Sequence, residues 1–275
     1  MGKTATGTIR IGIGGWTYAP WRGSFYPADL PQKRELEFAS RRLTSIEING
    51  TYYGAQKPES FARWRAETPD GFVFSVKAPR YATNRRVLAE AGETIERFFT
   101  GGVMELKEKL GPINWQFMAA KKFDPDDFAA FLKLLPKRAD GRALRHVVEV
   151  RHDSFRNPEF FAMTHKHGVA IVLAADSDYP QIVDPQAPFV YARIMGTQER
   201  EASGYSAADL DLWAGRAKAW AAGKPAKGFK VAAPDQIVPQ DVFLYVISGH
   251  KVRNPAAAEA LIEGFGVSSG RARAG

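Results

Sequence analysis

The chain contains no cysteine. Disulfides, thiolate metal sites, iron–sulfur clusters and cysteine nucleophiles are therefore excluded. Its five histidines are scattered and form none of the usual imidazole clusters. No apolar run approaches the length of a membrane span. The opening MGKTATGTIR lacks the apolar core of a signal peptide, and Gly2 is only a single weak acylation match. The expectation is a cytoplasmic protein with no membrane partner. No cofactor is expected.

What is present is an ordinary globular composition, 45% hydrophobic and 25% charged, so a full hydrophobic core is available. The net charge of +8 favours an anionic ligand or a nucleic-acid backbone. The basic residues are spread along the whole chain, so a solubilising surface is the competing reading.

Near the start stands GIGGWTYAPWRGSFYP, Gly12 to Pro27. Its glycines suggest a phosphate loop, but Gly12, Gly14 and Gly15 lack the spacing of a dinucleotide fingerprint and Pro20 opposes a helix start. The glycines read instead as a strand end crowding a barrel axis and leaving backbone N–H groups free. Trp16, Tyr18 and Trp21 read as an aromatic wall, with Phe25 and Tyr26 assigned to packing.

Strand-type runs recur at 9–14, 45–49, 72–77, 113–118, 146–151, 169–174, 189–195 and 242–248. Helical segments separate most of them. Asp124-Pro125, Asn157-Pro158 and Asn254-Pro255 are N-cap and first-turn pairs, and Ser206 with Asp209 offers a capping box. Gly101-Gly102 splits the segment between the third and fourth strands. This alternation predicts an α/β fold, a (β/α)₈ TIM-type barrel. Three prolines and no helical period between Ala174 and Phe189 predict that the sixth helix is short or absent. Residues 1–8 read as a flexible N-terminus, 9–264 as one barrel domain and 265–275 as a disordered tail.

Residues two apart in a strand share a face. That rule places Glu47 with Asn49, Ser75 with Lys77, Asn114 with Gln116, Glu149 with Arg151, and Tyr191 with Arg193. Ser248 closes the eighth strand. The intervening residues, such as Ile46, Phe74, Trp115 and Val148, are apolar and suit packing beneath helices. Charge thus gathers at the carboxyl ends of the strands, where barrel active sites sit. Such groups must pair, bind a ligand or face water. Arg151 and Arg193 suit capture of a carboxylate or phosphate. Lys77 beside them is a candidate acid, base or amine nucleophile. Glu47, Glu149 and Asp176 are candidate acids and bases. His152 either caps the next helix or stands at the rim. The structural alternative is a closed ion-pair network plugging the barrel top. A divalent metal at Glu47, Glu149, Asp176 and His152 is a minor alternative, and the primary expectation is no metal.

The blocks GIGGWTYAPWRGSFYP, IEINGTYY, TPDGFVFSVKAP, VEVRHDSF and YARIMG occur in the order found in the domain of unknown function 72 family, also called YecE-like, which the chain resembles from about Ile9 to Ile262. The resemblance implies a TIM-type barrel and no settled activity. Its blocks point to Trp16, Tyr18, Trp21, Glu47, Asn49, Tyr52, Tyr53, Lys77, Glu149, Arg151, His152 and Arg193. The chain departs from the family pattern at Asn84 and Met195, where histidines are common, at Val150 in place of a proline, and at Ser248-Gly249-His250. Those departures bear on any proton transfer through the missing histidines and leave the glutamate, arginine and lysine set intact.

The leading functional reading is an enzyme acting on a small anionic substrate, phosphorylated or carboxylated and sugar-like. Glu47, Lys77, Glu149 and Asp176 would do acid–base chemistry. Trp16, Tyr18, Trp21, Asn49, Tyr52, Tyr53, Gln116, Arg151, His152, Arg193 and Ser248 would bind. The first alternative is a barrel that binds or processes nucleic acid. Others are a Schiff-base lyase through Lys77 and a non-catalytic ligand binder. Oligomeric state is not legible.

Overall fold

The computed structural model describes residues 6–229 and 237–265. Eight parallel strands close on themselves: β1 (Ile9–Gly14), β2 (Ser45–Ile48), β3 (Val73–Lys77), β4 (Leu110–Gln116), β5 (His146–Glu149), β6 (Ala170–Ala175), β7 (Val190–Ile194) and β8 (Val242–Val246). They neighbour one another in chain order, and β1 completes the ring by pairing with both β2 and β8. The eight-fold β/α alternation read from sequence is thus the architecture found. A two-residue hairpin, Arg138–Ala139 with Arg142–Ala143, lies outside the barrel.

The helices are α1 (Glu35–Ser40), α2 (Gly50–Tyr53), α3 (Pro58–Glu67), α4 (Arg80–Thr83), α5 (Gly92–Thr100), α6 (Pro125–Leu134), α7 (Pro158–His167), α8 (Ala207–Ala221) and α9 (Asn254–Gly264). Asp124, Asn157 and Ser206 cap α6, α7 and α8 by accepting from backbone N–H groups in the first turn. Asn254 does otherwise. It begins α9, and its Oδ1 accepts from the Thr197 hydroxyl at 2.8 Å. Gly102, at φ 106°, ends the α5 segment as the double glycine suggests. Residues 176–189 form turns and bends without a helix. That connection is fastened by buried Asp184, which receives His165 Nε2 from α7 at 2.8 Å.

Alternation along the strands makes two apolar layers. Outward residues, among them Ile46, Phe74, Trp115, Val148 and Leu244, join the large core beneath the helices. Inward residues Val147, Val172, Tyr191, Phe243 and Tyr245 fill the barrel axis as a second cluster. Above that plug the inward residues become polar.

The expected flexible start and disordered tail fall largely outside the described residues. Where the amino-terminal segment is described it is tied: Gly7 N–H donates to Ala221 O and Thr8 N–H to Asp241 Oδ1. Among the described residues no helix is long and apolar enough to cross a membrane.

Candidate functional site at the barrel mouth

The carboxyl ends of β2, β3, β4, β5 and β7 deliver Glu47, Lys77, Asn114, Gln116, Glu149 and Arg193 to one buried ring. Strand pairing sets their neighbours, with Lys77 beside Asn114 and Gln116 beside Glu149. Arg193 bridges the carboxylates, Nη1 donating to Glu149 Oε2 at 2.7 Å and Nη2 to Glu47 Oε1 at 3.1 Å. Asn114 Nδ2 reaches both glutamates as well, at 3.2 and 3.4 Å. From below, Tyr191 OH donates to Glu47 Oε2 at 2.5 Å. Arg151 Nε and Nη2 both donate to Glu149 Oε1, at 2.9 and 2.6 Å.

Burial alone would raise the Glu149 carboxyl, but the charges of Arg193, Arg151 and Lys77 and the Arg151 hydrogen bond outweigh it and hold it down to about 2. Glu149 is therefore ionised throughout the neutral range. Burial works against the Arg193 charge too, and the two glutamates overcome it, raising that pKa further above its ordinary value.

Lys77 is different. It has no carboxylate ion-pair partner among the described residues. Its ammonium donates to Gln116 Oε1 at 2.5 Å and lies 4.3 Å from the centre of the Tyr52 ring. Burial, and then the charge of Arg193, lower its pKa from 10.5 to about 8; Glu47 and Glu149 oppose that shift only in part. The position is rigid because two hydroxyls from the short helices above fix the strand ends. Thr51 donates to Lys77 O and Thr83 to Gln116 O, each at 2.6 Å.

Two buried atoms of the ring have no hydrogen-bond partner, Arg193 Nε and Asn114 Oδ1. A donor and an acceptor left open in one polar ring suit a small polar ligand atom or water. Arg151 is the ring cation most open to solvent, its side chain 19% exposed against 4% for Arg193. Tyr179, on the helix-free connection after β6, covers it. The Tyr179 ring centre lies 4.3 Å from the guanidinium, and its OH accepts from Arg151 Nη1 at 3.3 Å. Tyr179 escaped the sequence reading because its segment has no period from which to assign a face.

The remaining expected residues are dispersed around this ring. Tyr52 belongs to it, its OH accepting from Gln116 Nε2 at 3.4 Å, whereas Tyr53 points outward at 66% exposed. Asn49 starts α2 and packs against Gly14. Trp16 meets Trp64 of α3 edge-on at 5.0 Å, in the layer outside the barrel. Trp21 is buried, its Nε1 donating to Lys251 O, and Tyr18 lies under the Lys251 ammonium at 4.1 Å. The expected aromatic wall over the ring cations is thus a packing unit around Lys251 and Trp64, with Phe25 and Tyr26 packed in as assigned. The amide of Gly15 donates to Glu47 O, so it is not free for a ligand.

His152 resolves as a cap: its Nδ1 accepts from Ser154 N at 3.1 Å. Asp176 is exposed and accepts from Tyr205 OH at 3.0 Å. Ser248 is exposed in a left-handed turn at φ 61°. Glu47, Glu149, Asp176 and His152 are consequently not gathered into one donor set, and no group of three or more His, Asp or Glu among the described residues is arranged to hold a metal ion.

The sequence profile described as protein of unknown function DUF72 matches residues 10–272. The chain is 30% identical to the UPF0759 protein YecE of Escherichia coli K12 over 56% of its own length and 50% of that protein's. It is 31% identical to the UPF0759 protein YunF of Bacillus subtilis over 26% of its length and 24% of that protein's. These alignments span half or less of the curated relatives. Among solved structures, a DUF72 family protein from Thermotoga maritima superposes with a TM-score of 0.67 at 22% identity, covering 92% of this chain and 96% of that one. Another from Enterococcus faecalis gives 0.67 at 17% identity, covering 95% and 96%. At those identities the likeness concerns the fold.

Proposed function

The chain belongs to the DUF72 family of proteins of unknown function, and from that premise we propose that it is a cytoplasmic enzyme that binds a small phosphorylated or carboxylated, sugar-like molecule at the barrel mouth and moves a proton with Lys77. One observation carries the reading. Among the described residues Lys77 is the cation of the buried ring without a carboxylate ion pair, and its pKa of about 8 lies near physiological pH. A general acid or base is most effective when its pKa lies near the working pH.

The other charged groups take supporting roles. Glu149 is held too far down to exchange protons near neutrality, and Glu47 is engaged by Tyr191, Arg193 and Asn114. They anchor Arg193 and Arg151 so that three cations face two carboxylates, an excess that favours an anionic ligand. Arg151 keeps two N–H groups beyond those given to Glu149 and Tyr179, enough for bidentate capture once Tyr179 moves aside.

The test is a panel of sugar phosphates and sugar acids followed by NMR for turnover, with wild type, Lys77→Met and Arg151→Gln. Turnover by wild type that rises with an apparent pKa near 8 and is abolished in Lys77→Met supports the assignment. Turnover surviving in Lys77→Met removes Lys77 from the chemistry. A folded wild type that neither binds nor turns over any anion of the panel overturns the reading.

A further inference from the structure

Beside the mouth, but outside the charged ring, α2 and α4 stand as single turns directly after β2 and β3. Each carries an outward tyrosine, Tyr53 and Tyr81, 66% and 59% exposed. They are the exposed aromatic side chains among the described residues. A single exposed apolar residue is ordinary, whereas aromatics that flank one cleft form the kind of patch found at binding sites. Both border one cleft of about 350 Å³, whose wall includes Tyr52, Phe61 and Phe98. Arg97 is the charged residue lining it, and no acidic residue does.

We infer that this cleft is a binding site for a flat aromatic ring bearing an anionic group, with Tyr53 and Tyr81 contacting the ring and Arg97 receiving the anion. The volume is at the lower end for small-molecule sites and fits a ring with one substituent. Tyrosine offers a broad apolar face at low entropic cost, which suits stacking on a planar ligand. Arg97 is available for the anion. Its pairing with Glu93, one helical turn away, is made with both side chains about three-quarters exposed, where such pairs contribute little. Arg80 puts a second positive charge beside Tyr81, its guanidinium 5.2 Å from that ring. A ring without charge would leave that cationic edge unused, and a bare anion would leave the tyrosines unused.

The inference does not depend on Lys77 performing chemistry, and the experiment separates the two. Phenyl phosphate, inorganic phosphate and benzyl alcohol are titrated by calorimetry and saturation-transfer NMR into wild type, Tyr53→Ala/Tyr81→Ala, Arg97→Gln and Arg151→Gln. Both tyrosines are exposed, so the double variant should keep the wild-type thermal midpoint. The expected result is one saturable site for phenyl phosphate, weakened about tenfold or more by the double variant and less strongly by Arg97→Gln. Inorganic phosphate and benzyl alcohol should bind more weakly to wild type. Absence of saturable phenyl phosphate binding overturns the site. So does equal binding by the double variant, or loss confined to Arg151→Gln, which would assign the ligand to the mouth.

Discussion

Arg193 and Glu149 meet at 2.7 Å with side-chain exposures of 4% and 0%, and the same guanidinium also holds Glu47. Removing one member of a buried pair leaves the other charge uncompensated, at a cost of about 3–5 kcal/mol. Here the substitution would strand Glu47, whose ion pair is with Arg193, while Glu149 keeps Arg151. Arg193→Met is therefore expected to lose stability within that range in urea denaturation. Adding Glu47→Gln to the Arg193→Met background should restore part of the loss, because it removes the stranded charge. A single variant within about 1 kcal/mol of wild type would mean that the ring does not hold the barrel top together.

Acid should act through Glu149. Its carboxyl titrates at about 2 in the folded chain against an ordinary 4.5. A depressed folded pKa stabilises fully above the unfolded value and is lost as pH falls through the folded one. The contribution is about 3 kcal/mol, present above pH 4.5 and draining away between 4.5 and 2. Glu149→Gln should be less stable than wild type at pH 6 and change less between pH 5 and pH 2. Parallel stability–pH curves for the two proteins would refute this.

Lys77 carries the opposite sign. Its folded pKa, about 8, lies below the ordinary 10.5. The unfolded chain then binds more protons between those values, and stability rises with pH across that window. Below pH 8 the buried ammonium costs about 3 kcal/mol. Lys77→Met should thus be more stable than wild type at pH 7, by about 1–2 kcal/mol after allowing for the lost bond to Gln116. By pH 11 the order should reverse, because the charge no longer costs anything while the bond to Gln116 is still missing. A stabilising substitution at a position proposed for chemistry is the trade-off expected of a functional site, and a destabilised Lys77→Met at pH 7 would make Lys77 a structural ion.

The glycines of the opening segment separate into two kinds. A Cβ on Gly12 would fall 1.9 Å from Ser45 O, a backbone atom of the neighbouring strand that cannot step aside. A Cβ on Gly15 meets nothing within 4 Å, but its φ is 73°. Gly12→Ala is expected to prevent folding or cost more than about 3 kcal/mol. Gly15→Ala should cost about 1–2 kcal/mol through backbone strain alone. Thermal unfolding of the soluble fractions checks the order, and Gly12→Ala milder than Gly15→Ala would contradict it.

These positions also show what the sequence could disclose. Period-two alternation identified the inward glutamates, Lys77 and Arg193, because a strand allows only two faces. It missed the phenol of Tyr191 under Glu47 and the bridging amide of Asn114, which were on the right face but differ from packing residues only in what they touch. The loop aromatics were misplaced for a related reason. After Gly15 the chain leaves the strand period, and nothing local signals that Trp16 turns outward to Trp64, 48 positions later. His152 and Asp176 are polar residues just past strand ends, where capping a turn and entering the mouth are equally available to a short side chain. Tyr179 lay beyond reach because neither helix nor strand orders its segment.

Tyr179 supplies the last expectation. Its ring covers the Arg151 guanidinium at 4.3 Å, and one hydrogen bond at 3.3 Å holds the two together. A stacked cation at a partly exposed site gains about 1 kcal/mol, so Tyr179→Ala should unfold slightly more readily than wild type. The larger effect should be on access. Phenylglyoxal, an arginine reagent that must approach the guanidinium face, should modify Arg151 several-fold faster in Tyr179→Ala, as read by peptide mass mapping. Tyr179→Phe keeps the ring and loses the hydroxyl, so its rate should stay near wild type if the stack is the barrier and approach that of alanine if the hydrogen bond is. Arg193, buried beneath the carboxylates, should remain unmodified in all three proteins. Equal Arg151 rates in all three would mean that Glu149 alone shields Arg151, and an anion could then reach it without any movement of the connection after β6.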